Sequence, residues 1–188
     1  MRIGILALQG AFIEHVNCLN KLGIETVEVR LPEDLNNISG IIIPGGESTA
    51  IGKLAHKYGL IESLKDFAKS KAVWGTCAGM ILLAKKINDE KPWLDLMEIS
   101  VQRNAFGRQV DSFTEPLKIE EIENNQEAFP AIFIRAPLIL DCSKAVKKLS
   151  ITKAGQVVAA QQGKILATAF HPELTKDLRL HKYFISLC

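Results

Sequence analysis

The chain has 188 residues, 47% of them hydrophobic, and a formal net charge of +2 at pH 7. That length and apolar content suit one globular domain with a full core, so residues 1–188 are expected to form a single domain. The 23 Lys and Arg residues are scattered among 21 Asp and Glu, which leaves no basic stripe for nucleic acid or an anionic membrane.

Residues 2–8 read as a buried strand, and Phe12, Val16, Leu19 and Leu22 form a helical stripe that stops at Gly23. Residues 24–30 are the next strand. A turn begun by Pro32 leads to a strand at 40–43, which Pro44-Gly45-Gly46 breaks. Helical patterns follow over 49–57 and 60–69, then a short strand, Ala72-Val73-Trp74, and a helical pattern over 80–86. Strands alternating with helices in this way predict a mostly parallel α/β sheet covered by helices on both faces, with right-handed crossovers. From about residue 99 the character changes: 99–101, 109–119, 131–134, 156–161 and 165–170 read as strands joined by turns, with Gln162-Gly163 as a hairpin turn. That half is expected to add antiparallel strands to the sheet. Residues 178–187 close the chain as an amphipathic helix.

Apolar runs such as Ile41-Ile42-Ile43 and Ile81 to Ala84 are far shorter than a membrane span, and the run 3–8 is too short for a signal peptide. A soluble, cytoplasmic protein is expected. Cys18, Cys77, Cys142 and Cys188 include no CxxC pair, which argues against a zinc site and against a disulfide framework. No metal or bound cofactor is expected, and Cys18, Cys142 and Cys188 read as structural.

Cys77 is different. Gly75-Thr76-Cys77-Ala78-Gly79 follows a strand and opens onto a helix, the pattern of a nucleophile elbow with cysteine in place of serine. The glycines let the backbone pass closely, and the helix N-terminus favours thiolate over thiol. A base is expected at His171, where an apolar run ends in His171-Pro172-Glu173. If the backbone stays extended there, Glu173 lies on the same side as His171 and orients its imidazole toward Cys77. Nucleophile, base and orienter are then all present. Read singly, Cys77 is also consistent with a small buried residue and His171 with a polar strand end.

The loop Pro44 to Thr49 superficially resembles a phosphate-binding loop, but the spacing fails: the required first glycine is Glu47, and Leu54 follows Gly52-Lys53. Paired glycines beside a thiolate are better suited to an oxyanion hole, in which backbone N–H groups of Gly46 and Ala78 receive a tetrahedral oxyanion. A plain strand-to-helix turn capped by Ser48 or Thr49 is compatible with that role. Gln9-Gly10, Pro44 to Thr49, the Cys77 elbow and His171-Pro172-Glu173 all come directly after strands, so they should converge on one rim of the sheet.

These segments, with Glu14-His15, Arg103 to Gln109 and Phe133-Ile134-Arg135-Ala136-Pro137, make the chain resemble the class I, triad glutamine amidotransferases. Within them it is similar to the glutaminase subunits of pyridoxal 5′-phosphate synthase. The resemblance spans essentially the whole chain and implies a single flavodoxin-like α/β domain. It also implies hydrolysis of L-glutamine to glutamate and ammonia through a thioester on Cys77, with His171 as acid and base and Glu173 as its orienter. Gly46, Glu47, Ser48, Arg103, Ile134 and Arg135 would bind glutamine. Guanidinium groups suit an α-carboxylate and Glu47 suits an α-ammonium; without the resemblance the two arginines read as surface charges. The implied partner is a synthase subunit that receives ammonia through a channel and makes vitamin B6, with the oxyanion hole completed only on docking. Gln9-Gly10 with Glu14 and His15 is expected as docking surface. The alternatives are another cysteine-triad hydrolase, such as a γ-glutamyl hydrolase or peptidase, and a non-catalytic regulatory subunit.

Overall fold

The computed structural model describes residues 1–88, 90–105 and 112–188. Strands β1 (Arg2–Leu6), β2 (Glu25–Val29), β3 (Gly40–Ile43) and β4 (Ala72–Thr76) are joined through helices α1 (Phe12–Lys21), α2 (Ser48–Lys57) and α3 (Leu60–Ala68). Every residue of β3 and β4 is buried, which is what strands covered on both faces require. After β4 come α4 (Ala78–Leu83), β5 (Ala84–Ile87), β6 (Met97–Gln102), β7 (Ser112–Leu117), β8 (Phe129–Ile134), β9 (Leu138–Cys142) and β10 (Lys147–Ile151). The chain ends with β11 (Val157–Gln162), β12 (Ile165–Thr168) and α5 (Arg179–Leu187).

The large sheet runs β2-β1-β3-β4-β12-β11-β9-β6-β5, with β10 paired to β11. Its first five strands are mutually parallel and in flavodoxin-like order. The antiparallel additions are β11 on β12, β9 and β10 on β11, and β6 on β9. The side chain of Trp74 in β4 meets His15 of α1 and His181 and Phe184 of α5. A Cβ on the next residue, Gly75, would instead meet Gly79 and Leu83 of α4. Because successive strand residues face opposite sides, α1 and α5 cover one face and α4 the other. Among the described residues no helix is long and apolar enough to cross a membrane.

Five expectations need correction. The helical pattern over 80–86 ends at Leu83, and residues 84–87 form β5. All six residues of α4 are buried, so their apolar run carries no face that could mark where the helix stops. Two strands, β9 and β10, lie where no strand is legible; each has adjacent exposed positions and adjacent buried ones instead of strict alternation. Strands β7 and β8 do not extend the sheet but make a separate antiparallel ribbon, held by stacking of Phe113 on Phe133 with ring centroids 4.7 Å apart. The start of the expected strand 109–119 lies outside the described residues. The hairpin turn is shifted by one position: Gln162 pairs with Ile165, leaving Gly163 at φ 58° and Lys164 as its central residues. Lastly, the first and last sheet strands are shorter than expected, stopping at Leu6 and Thr168, and each gives way there to a loop at the rim.

Packing is very close where α4 crosses β3. A Cβ on Gly79 would overlap the Ile43 carbonyl oxygen, a backbone atom that cannot rotate away. Gly79→Ala is therefore expected to destabilise the protein by about 2–4 kcal/mol and lower its thermal unfolding midpoint by roughly 5–10 °C. An unchanged midpoint in a calorimetric scan would refute this account of the α4 packing.

Candidate active site

The carboxyl ends of β1, β3, β4 and β12 share one rim, and the residues just beyond them converge there as expected. Cys77 leaves β4 at φ 48°, ψ −105°, a conformation that strains a non-glycine residue. It is held there from both sides: its N–H donates to Thr168 O at 2.8 Å, and its carbonyl accepts from Met80 N–H at 3.1 Å. The turn lifts Sγ to 3.9 Å from the Ile134 carbonyl at the end of β8. Space for this is made by Gly45, because a Cβ there would overlap the His171 imidazole and crowd Cys77 Cβ.

His171 N–H donates to Ile132 O at 2.8 Å, tying the loop after β12 to the β7–β8 ribbon. Its Nδ1 lies 2.7 Å from Glu173 Oε1. The contact is the one expected, but the backbone is not extended: Pro172–Leu174 is a 3-10 turn with Pro172 at its first position. Proline's fixed φ suits a helical first turn and its missing N–H loses nothing there. Burial opposes a charge on His171, yet hydrogen bonding to the Cys77 sulfur and to Glu173 outweighs it and raises its pKa to about 10. These contacts thus favour the imidazolium form beside Cys77.

Behind Glu173 lies a further buried layer. His15 Nε2 is 3.4 Å from Glu173 Oε2 and 3.3 Å from Thr76 Oγ1, and His15 Nδ1 is 3.0 Å from His181 Nε2. His15, Thr76 and His181 are completely buried. His15 is therefore not docking surface, contrary to expectation; α1 turns it inward onto Trp74 and Glu173, while Gly10 and Ile13 are exposed. Burial, reinforced by the neighbouring His181 and His171, drives the His15 pKa well below the usual imidazole value. Burial alone pulls that of His181 down to about 4.

Cys77, Ala78, His171, Gly46, Glu47, Ser48, Arg103, Ile134 and Arg135 all line one cleft of about 370 Å³. Glu173 stands behind His171, outside the lining. The Glu47 carboxylate caps α2 by accepting from Thr49 N–H at 2.9 Å and Ala50 N–H at 2.7 Å. Burial pushes its pKa up, but these two bonds, with the Thr49 hydroxyl and Arg103 nearby, hold it below the usual carboxylate range. Arg103 donates from one terminal nitrogen to Ser48 Oγ and, at 2.9 Å, to Thr49 Oγ1, while the other lies 3.4 Å from Glu90 Oε1. Its Nε is buried without a partner among the described residues. Arg103 is thus built into the cleft, whereas Arg135, at φ 43°, is exposed on its rim. Gln9 also lines the cleft, and its Oε1 accepts the Glu47 N–H at 2.8 Å.

The cleft also takes in Ile81, which carries no sequence signal of its own, and Asn104 and Pro137, which lie in the motif segments without a role legible there. His181 carries no motif, and Thr76 is legible as part of the elbow but not as a partner of His15. A signal for His181 exists: it sits among Leu180 and Phe184 on the buried stripe of α5, where a polar residue needs a partner. Of the motif running from 103, residues 106–109 lie outside the described residues. Among the described residues, no group of three or more His, Cys, Asp and Glu could hold a metal ion.

A family described as SNO glutamine amidotransferase matches residues 5–188. Pyridoxal 5′-phosphate synthase subunit PdxT of Dehalococcoides mccartyi strain 195 is 52% identical over 191 residues, covering 100% of this chain and 97% of that protein. The protein of the same description from Carboxydothermus hydrogenoformans is 53% identical over 187 residues, covering 98% and 96%. A crystal structure described as glutamine amidotransferase superimposes with TM-score 0.92 at 48% identity, covering 98% of this chain and 97% of that one. The Thermotoga maritima PurLQS structure, at TM-score 0.76 and 14% identity, shares the fold.

The buried histidines carry a pH signature. His15 and His181 remain neutral in the folded state but bind protons in the unfolded chain below about pH 6.5, so the unfolded state takes up more protons as pH falls. Their contribution to stability is therefore intact above pH 6.5 and is lost on acidification toward pH 4, where His181 protonates in the folded state as well. Urea unfolding between pH 6.5 and 5 should lose roughly 1 kcal/mol per pH unit for each buried imidazole, approaching the single-proton limit of about 1.4 at the acid end. His181→Gln should make that slope shallower; a slope equal to that of the unaltered protein would show that His181 is not buried neutral.

Proposed function

The chain belongs to the SNO glutamine amidotransferase family, and we propose that it is the glutaminase subunit of a pyridoxal 5′-phosphate synthase, with residues 1–188 as one glutaminase domain. The observation that carries the reading is the Cys77, His171 and Glu173 arrangement at the bottom of a cleft lined by two arginines and a carboxylate.

Cys77 Sγ attacks the side-chain amide carbon of L-glutamine, and the oxyanion is received by the N–H groups of Gly46 and Ala78. Ala78 is the first residue of α4, where the helical ladder offers its N–H no acceptor. The C–N bond breaks as His171 gives its proton to the departing nitrogen, which leaves as ammonia. A γ-glutamyl thioester remains. His171, now neutral, takes a proton from water as the water attacks the thioester; the C–S bond breaks, glutamate leaves and the thiolate–imidazolium pair is restored. Glu173 keeps the proton on Nδ1 so that Nε2 faces the chemistry. Arg103 and Arg135 are assigned to the α-carboxylate, Glu47 with Ser48 to the α-ammonium end, and Ile134 to a wall of the cleft.

The ammonia passes to a synthase subunit. Delivery through an enclosed channel keeps it from being protonated and lost to solvent and raises its effective concentration at the acceptor. A hetero-oligomeric assembly in the cytoplasm follows from that role. Dependence on the partner fits the oxyanion peptide: Gly45 O accepts from Ala11 N–H at 3.0 Å and Glu47 N–H donates to Gln9, so the segment carrying Gly46 is gripped by the β1–α1 loop, which is exposed at Gly10.

Ammonia release from L-glutamine, measured with and without a pyridoxal 5′-phosphate synthase subunit, should be stimulated by the partner and abolished by Cys77→Ala. Glu173→Gln should lower kcat by about 100-fold or more, because the amide can present the wrong group to Nδ1. Release of glutamate from γ-glutamyl peptides, with none from free glutamine in either condition, would replace this reading with that of a γ-glutamyl hydrolase.

A further inference from the structure

Glu173 has two carboxylate oxygens in a site that excludes water, and the proposed reaction uses only one. Oε1 is 2.7 Å from His171 Nδ1. Oε2 is buried without a hydrogen bond among the described residues, and His15 Nε2 lies 3.4 Å from it. A buried carboxylate oxygen left to itself costs heavily, and a dipole aimed at it across 3.4 Å of dry protein is still strongly attractive.

The proton positions are set by which alternatives the burial forbids. With both rings neutral, His15 and His181 each carry a single N–H. If His15 held its proton on Nδ1, its bare Nε2 would face the Glu173 carboxylate and repel it. His181 would then have to place its own proton on Nδ1, which is buried without a partner among the described residues. An orphaned buried donor and a lone pair against an anion would coexist. With the protons on Nε2 of both rings, His181 Nε2–H donates to His15 Nδ1 at 3.0 Å, and the His15 Nε2–H faces Thr76 Oγ1 at 3.3 Å with Glu173 Oε2 beside it at 3.4 Å. Thr76 Oγ1, 3.3 Å from the same His15 nitrogen, accepts as a neutral hydroxyl, and only an unpaired acceptor, His181 Nδ1, is left over. Trp74 packs edge-on against both imidazoles, with centroids 5.7 and 5.1 Å away, and limits their rotation.

We propose that His15 is a positioning residue for the triad: its Nε2–H, its tautomer set by His181, holds the second oxygen of Glu173 and so fixes the plane in which the first oxygen meets His171. The inference rests on the glutaminase reading for its kinetic consequence but not for its geometry. His15 touches neither the cleft nor the reacting atoms, so its removal acts on turnover through Glu173 rather than on glutamine binding.

Two measurements test it. Nitrogen-15 NMR of the imidazoles in the unaltered chain should find the proton on Nε2 of both His15 and His181; a proton on His15 Nδ1 would overturn the proposal. In the complex with the synthase subunit, His15→Leu should lower kcat for glutamine by about 10- to 100-fold with KM changed less than about twofold, the scale seen when a ligand's outer partner is removed. His15→Gln, whose amide N–H reaches roughly where Nε2–H does, should recover most of the loss. Unchanged kcat in His15→Leu, or a His15→Gln variant no better than His15→Leu at equal thermal stability, would reduce His15 to packing. Should His15→Leu fail to fold, His15→Gln and the tautomers decide. Should the unaltered complex release no ammonia, the glutaminase reading falls; the tautomers, and loss of the low-field His171 Nδ1 proton resonance in His15→Leu but not in His15→Gln, still judge the role of His15.

Discussion

The site depends on a reversal of direction at one residue. Cys77 must end β4 and begin α4 while projecting its sulfur above the sheet, which places it at φ 48°. Nothing in cysteine favours that conformation, so the surroundings impose it. Thr168 O on the adjacent β12 takes the Cys77 N–H, and α4 is drawn so close to β3 that only a glycine fits at position 79. The same parallel pairing of β3, β4 and β12 that fixes the elbow also brings Gly45 and His171 to it, since each lies just past the end of a neighbouring strand. Geometry at the sulfur is therefore a property of the sheet.

Three of the chain's four histidines are buried around this point, and their different charge states come from neighbours rather than from depth. Desolvation is the largest influence on each and always disfavours the cation. His171 overcomes it because it lies between a sulfur and a carboxylate oxygen at 2.7 Å. His15 is within reach of the same carboxylate, but at 3.4 Å, and it faces two other imidazoles that can themselves be charged. Among the described residues His181 has no anion beside it. One carboxylate thus favours a single imidazolium, on the side that faces Cys77, and burial favours the neutral form in the layer behind.

Sequence pattern reached some of this and not the rest, for physical reasons. Residues whose role forces a local signature were legible: the glycines around Cys77 mark close backbone approach, and His171-Pro172-Glu173 marks a strand that must stop. The His171 to Glu173 contact was read from an extended backbone and arises from a 3-10 turn, because i,i+2 proximity does not distinguish the two. Strand β5 was hidden because Ile81 to Ala84 is apolar at every position, and apolar spacing discriminates helix from strand only when one face is wet. His15 was placed on the surface because a histidine after a glutamate in an amphipathic helix reads as solvated. Its burial is satisfied by His181, 166 residues away, and a contact of that separation leaves no mark on local pattern.

Helix α1 joins the two halves of the site. Its N-terminal loop holds Gly45 O through Ala11 N–H and Glu47 N–H through the Gln9 side chain, on either side of the Gly46 peptide. One turn further along, the same helix sends His15 inward to Glu173. The proposed oxyanion peptide at Gly46 and the Glu173 carboxylate, which belong to different loops of the sheet, thereby meet one loop-and-helix segment, exposed at Gly10 and Ile13. Gly45, Glu47 and Glu173 are therefore all contacted by α1 or by the loop that leads into it.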